Sequence, residues 1–174
     1  MAAVVVASFT FMGCPQDPCV AKKVDCGTNG TCLEGLCNCS DGYEGEKCET
    51  ESRTKFLGTY AAFTEVATIG TTDYNTNVTG FKIETSSAAG NKVILTKFGN
   101  ANETVVATVK GTVITIPAAT VINVTDAGTT VAWTVTSGTI SQATGGVKMD
   151  YVLTSGSGAT LQTANCKVTL AVKQ

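Results

Sequence analysis

Eight cysteines and a complete absence of histidine define the chemistry open to this chain. Six of the thiols, Cys19, Cys26, Cys32, Cys37, Cys39 and Cys48, crowd into one short stretch. Thiols this dense either hold a metal or oxidise in pairs. A zinc site wants two closely spaced cysteine pairs or histidine partners, and this spacing supplies neither. The reading is therefore a disulfide framework, which persists only in oxidising surroundings and sets the expected location outside the cytosol. Spacing alone leaves the connectivity open. So short a segment buries little core, and its stability must come from the bridges.

Without histidine, the usual Ser-His-Asp and Cys-His nucleophiles and imidazole general bases are excluded. A carboxylate pair could act as acid and base, but Asp73, Glu84, Glu103, Asp126 and Asp150 are scattered along the chain and read as solvated surface acids. The glycines sit at turns rather than in a phosphate-cradling motif. No catalytic residue, cofactor or metal ligand is expected, and the chain does not read as an enzyme. Trp133, Tyr151, Phe81 and Phe98 are the candidates to line a ligand cavity, although aromatics at alternating strand positions more often fill a core. A net charge of −2 argues against a nucleic-acid footprint. Asn-x-Ser/Thr triplets at Asn29, Asn38, Asn77, Asn102 and Asn123 carry no weight in a chain this rich in threonine.

The cysteine stretch carries further signals. Cys37-Asn38-Cys39-Ser40-Asp41-Gly42-Tyr43-Glu44-Gly45-Glu46-Lys47-Cys48 fits C-x-C-x5-G-x2-C, and Cys26-Gly27-Thr28-Asn29-Gly30-Thr31-Cys32 precedes it. Together they resemble an EGF-like module over residues 19–48. The resemblance implies the pairing Cys19–Cys32, Cys26–Cys37 and Cys39–Cys48. Calcium-binding members carry oxygen ligands before the first cysteine and between the third and fourth. Here Asp17 offers one carboxylate and Leu33-Glu34-Gly35-Leu36 lacks the second, so no tight calcium site is expected.

Residues 1–13 are uncharged and largely apolar, too short to span a bilayer, and match the core of a secretory signal. They end at Phe11-Met12-Gly13-Cys14, and Cys14 falls outside the six-cysteine frame. This tetrad resembles the lipobox of bacterial lipoproteins, which implies cleavage before Cys14 and acylation of it. It departs from the family pattern in beginning with Phe and in lacking a basic residue upstream. Residues 14–18 then form a lipidated tether, and 49–54 a short polar linker.

Residues 55–174 read as strand after strand. Val131, Trp133 and Val135 alternate with Ala132 and Thr134, Val147, Met149, Tyr151 and Leu153 with Lys148, Asp150 and Val152, and Cys166, Val168, Leu170 and Val172 with Lys167, Thr169, Ala171 and Lys173; this is the period of a half-buried antiparallel strand. Gly-containing turns recur between the runs. The expectation is a mainly β chain, with an antiparallel barrel of roughly eight strands after the cysteine-rich module and a sandwich as the alternative. Lys55-Phe56-Leu57-Gly58-Thr59-Tyr60 resembles the opening strand of short Bacteroidota outer-membrane lipoproteins, and Gly58-Thr59-Tyr60 is similar to the start of lipocalin-like barrels. Relatives pair a cysteine on the last strand with one near Glu65, Val66 and Ala67; here only Cys166 remains, as an expected buried free thiol. The resemblance implies a cell-surface lipoprotein, held in the outer membrane by its lipid. With no catalytic constellation in the sequence, the expected role is to bind a protein partner as an accessory or adhesive module. The alternative is a lipocalin-like carrier of a small apolar ligand. Mass spectrometry of the mature N-terminus is expected to show an acylated Cys14; an unmodified thiol there, or cleavage elsewhere, would exclude the lipid anchor.

Overall fold

The computed structural model describes residues 16–174 apart from 102 and 127. The leader and Cys14 lie outside the described residues. The cysteine-rich module opens with helix α1 (Pro18–Ala21). Pro18 suits a first helical position, and Asp17, considered above as a calcium ligand, caps the helix by accepting the Cys19 amide at 2.8 Å. Two small hairpins follow, β1 (Gly30–Leu33) with β2 (Leu36–Cys39) and β3 (Tyr43–Glu44) with β4 (Thr50–Glu51). Disulfides join Cys19 to Cys32, Cys26 to Cys37 and Cys39 to Cys48, the pairing implied by the EGF resemblance. Cys26 and Cys48 are themselves the buried centre of the module. Strand β4 lies inside the expected linker, and the 3-10 turn Ser52–Lys55 follows it directly, so the two parts of the chain meet without a free tether.

The rest of the described chain forms one sheet of eleven strands: β5 (Gly58–Thr59), β6 (Phe63–Ile69), β7 (Thr72–Val78), β8 (Lys82–Thr85), β9 (Lys92–Thr96), β10 (Thr104–Lys110), β11 (Val113–Thr115), β12 (Val121–Asp126), β13 (Thr129–Ala143), β14 (Gly146–Ser155) and β15 (Gln162–Val172). The order across it is β5-β8-β9-β10-β11-β13-β14-β15-β6-β7, with β12 pairing β13 beyond β11. More strands occur than the roughly eight expected because three strand lines are each broken in two. Gly58 faces Ile83 in the same frame that sets Phe63 against Val78, so β5 and β6 lie on one line, as do β7 and β8. Strands β11 and β12 both run along β13, separated by Pro117, which cannot donate to a ladder.

The expected closed barrel is not what forms; the sheet curls into a half-barrel. Strand β6 pairs with β15 only from Val66 to Ile69, and contact resumes at the isolated Tyr60–Lys173 bridge. The seam lapses where β15 carries an extra residue. Met149 faces Val168, but Val147 faces Ala171, so two residues of β15 stand against one of β14. The bulge reverses the alternation read from the sequence: Ala171 is buried, while Leu170 and Val172 are exposed. Gly146 makes it possible, since a Cβ there would lie 1.9 Å from the Ala171 carbonyl oxygen. A second bulge inserts Thr136 into β13, between Val135 facing Leu153 and Ser137 facing Val152. It moves the inward positions to Gly138 and Ile140. At the other end of β13, Val131 is 39% exposed, so it does not belong to the core as the alternation suggested.

The inner face packs around Phe56, Tyr60, Phe81, Phe98, Ile114, Ile122 and Ile140, all nearly fully buried. Tyr60 donates to the Phe56 carbonyl at 2.6 Å, and burial pushes its phenol up to about 12.

Arg53, the chain's one arginine, docks the module on this sheet. Its Nη1 donates to the carbonyls of Ser86 at 2.9 Å, Ala89 at 3.1 Å and Lys92 at 3.0 Å, gathering the loop between β8 and β9. Its Nε holds Glu51 of β4 at 2.8 Å. Lys55 pairs with Glu44 of β3 at 2.7 Å. Gly42 lies so close that a Cβ would meet the Asn91 Cβ at 2.6 Å, and its φ of +91° suits glycine. Replacing Arg53 by Ala is expected to cost about 1.5–3 kcal/mol, the range for charge-assisted hydrogen bonds. It should also open the segment around 49–54 to protease, while the disulfides and the separate β-sheet unit persist in denaturant titration and limited proteolysis.

Candidate functional site

The concave face of the half-barrel is built row by row from strand register. Tyr74 on β7 faces Ala67 on β6, Ala67 faces Cys166 on β15, Cys166 faces Tyr151 on β14, and Tyr151 faces Gly138 on β13. Directly opposed residues share a face, so these five make one band across the inner wall. In the next band, Ile69 faces Ala164, Ala164 faces Leu153, and Leu153 faces Val135. Both bands change from deeply buried on β14 and β15 to half-buried or exposed at β6 and β7, and Tyr74 is 53% exposed.

Three titratable groups gather within this wall. Glu65 is 7% exposed, and burial raises its carboxyl above the ordinary 4.5, partly opposed by the nearby Tyr151 hydroxyl. Burial pushes the Cys166 thiol up to about 12, with the charge of Glu65 adding to the effect. The Tyr151 phenol is raised well above its ordinary value by burial, and further by Glu65 and Cys166. Its Oη lies within reach of both groups, yet no bond to either closes with good geometry, and it is left as a buried hydroxyl without a partner. Its ring packs against Phe98 with the centroids 4.5 Å apart and the planes tilted by 46°.

Burial disfavours the thiolate form of Cys166. Cys166 is free and buried, with Ala67 where a partner cysteine would stand. The sequence reading overlooked Glu65 as a buried group, although the alternation Phe63, Glu65, Ala67, Ile69 sets it on the inward face.

The four aromatics proposed to line a cavity do not converge on one. Phe98 and Tyr151 pack against each other; Phe81 belongs with Tyr60 at 5.4 Å and Phe63 at 5.9 Å. Phe81, Phe98 and Tyr151 are 1–3% exposed, and Trp133 is half-buried against the core. Of the scattered acids, Asp73, Glu84 and Asp150 are exposed, and Glu103 accepts from the Asn123 side chain at 2.7 Å, which lowers its carboxyl. Among the described residues no group of three or more Cys, Asp or Glu is placed to hold a metal ion.

Two further surfaces are open. A groove of about 440 Å³ runs over β13, β14, β15 and β6, where Ser137, Thr139, Asp150 and Lys167 line it together with Tyr151 and Cys166 of the wall itself. On the module, the β1–β2 hairpin tip exposes Leu33 and Leu36, and Val20 of α1 is also exposed.

Residues 23–51 match the family model of the Teneurin-like EGF domain. The cysteine-rich unit is an EGF-like module. The match reaches through Glu51, the end of β4, and so includes both hairpins. Comparison with curated proteins and with solved structures gives no match.

Since the native state holds Glu65 protonated more tightly than the unfolded chain does, its contribution to stability is fully present below pH 4.5 and is lost as pH rises through the elevated native value. Glu65→Gln should flatten this dependence and gain of order 1–3 kcal/mol at neutral pH. Urea unfolding followed by Trp133 fluorescence at several pH values checks it; a wild-type stability that rises with pH over this range would contradict the assignment.

Proposed function

We propose that this chain is an extracytoplasmic binding protein of the cell envelope, anchored through lipid on Cys14, whose β-sheet unit presents a surface to a protein partner and catalyses no reaction. The observation that carries this reading is the way the inner wall is filled. Phe98 against Tyr151 and Phe81 against Tyr60 and Phe63 occupy the interior with the chain's own side chains, as a close-packed core requires. The surfaces left for recognition are therefore outside or at the rim. The stapled module supports it, because Arg53 ties β4 to the sheet and Val20, Leu33 and Leu36 are exposed on the module. The likeness of the leader and first β-sheet strand to Bacteroidota lipoproteins favours the outer membrane and its outer surface. The absence of histidine and the protonated Cys166 thiol support the lack of catalysis.

A second reading, a carrier of a small apolar ligand, is favoured by the unpartnered Tyr151 hydroxyl beside Glu65 and by the half-buried Trp133. Native mass spectrometry of protein taken from its own membranes separates the two. The binding-module reading expects co-purification with a defined membrane protein and no bound small molecule. A stoichiometric lipophilic ligand, or saturable quenching of Trp133 by a lipophilic probe, would assign the chain to the carrier class.

A further inference from the structure

Strand β7 ends the sheet order, and among the described residues it pairs with β6 alone. Its pairing with β6 is regular from Thr72 to Val78 with no bulge. The strand reads Thr-Asp-Tyr-Asn-Thr-Asn-Val, with no proline and no lysine. Exposed edges are normally blunted by lysine, proline, a bulge or extreme shortness, because their free amides and carbonyls template another strand. Strand β7 has none of these devices; its one charged residue is Asp73, and the 3-10 turn Phe98–Asn100 approaches it. The contrast with β12 is informative: there the Glu103 carboxylate accepts from the Asn123 main-chain amide at 3.4 Å and caps part of the free edge.

The two strands border one opening. The 3-10 turn Phe98–Asn100 touches both β7 and β12, so their edges flank the mouth of the half-barrel. Val78 at the end of β7 is buried, whereas Thr72, Asp73, Tyr74 and Asn75 are exposed. Apolar side chains around the mouth are incompletely covered: Tyr74 is exposed, Ile69 and Trp133 are half-buried, and Val124 and Val131 face each other across β12 and β13.

We propose that the free edge of β7, over 72–76, receives an extended segment of a partner polypeptide, which adds a strand to the sheet and lays apolar side chains at every second position into the mouth. This names the kind of partner in the interaction reading above and rests on that reading. A polypeptide is required because an unpaired row of main-chain amides and carbonyls is complemented only by another backbone; a lipid could cover Ile69 and Trp133 but would leave that row unmet. A second copy of this chain fits less well. Its own β7 would bring Thr72, Tyr74 and Thr76 to the concave side, too polar a set to cover the mouth.

The test uses the full chain and a soluble probe, a peptide of alternating valine and threonine flanked by lysines, compared with the same peptide N-methylated at alternate residues. Hydrogen exchange should slow by about tenfold or more over 72–76 with the first peptide and stay unchanged with the second, alongside a shift in Trp133 emission. Tyr74→Lys, which sets a charge on the inward side of the edge, should abolish the protection. Tyr74→Thr, which keeps a strand former there, should retain it and shows that the strand still forms. Equal binding of the N-methylated peptide, protection confined to other strands, or no protection at any soluble concentration overturns the proposal. So does a stable dimer of the chain alone with β7 amides protected, which would give the edge to a second copy. The broader reading fails separately: if nothing co-purifies from native membranes, the interaction reading falls. If a partner co-purifies undiminished with Tyr74→Lys, that reading stands and the edge assignment does not.

Discussion

The curl of the large sheet depends on two inserted residues. Thr136 in β13 and the extra residue at 169–170 in β15 each place two positions against one on β14, from opposite sides of it. A bulge bends its strand and sharpens the local right-handed twist. With β14 gripped between two bulged neighbours, the sheet wraps far enough to bring Tyr60 to Lys173 but not far enough to pair the whole seam. The same insertions decide which side chains face inward. They bury Ala171 in place of Leu170 and bring Gly138 opposite Tyr151, so the filled inner wall and its buried polar cluster both follow from them.

The second constraint is the union of the two parts. A module this small relies on its bridges, since buried Cys26 and Cys48 are nearly all the interior it has. What it adds is position. Strand β4 runs straight into the turn that carries Arg53, and the guanidinium then gathers three carbonyls of the β8–β9 loop. A loop whose carbonyls converge on one cation is held more firmly than its own turn geometry would hold it.

Burial and exposure divide the inner wall by function. Deep in the wall, Glu65, Tyr151 and Cys166 sit where ionisation is costly, and each is held towards its neutral form. Towards β7 and β12 the same wall becomes uncovered, with apolar side chains beside unpaired backbone. The proposed strand addition rests on that combination.

Much of this was legible in the sequence. Cysteine spacing carried the module, because a chain too short to build a core leaves its bridges and turns as the main determinants of its form. Alternation and glycine turns carried the β character of residues 55–174, since a period of two is a local property of any strand with one dry face. The isolation and burial of Cys166 were also readable from its place on such a strand. What sequence could not supply is whatever depends on two strands at once. A one-residue slip leaves composition and local pattern intact yet turns every following side chain over, so the bulges, the exposure of Leu170 and Val131, and the open seam were decided only when β13, β14 and β15 paired. The roles of Arg53 and Glu65 are of the same kind. A lone arginine in a polar stretch and a glutamate among threonines have no local signature, and the loop carbonyls that one gathers and the buried wall that the other enters exist only in the folded chain.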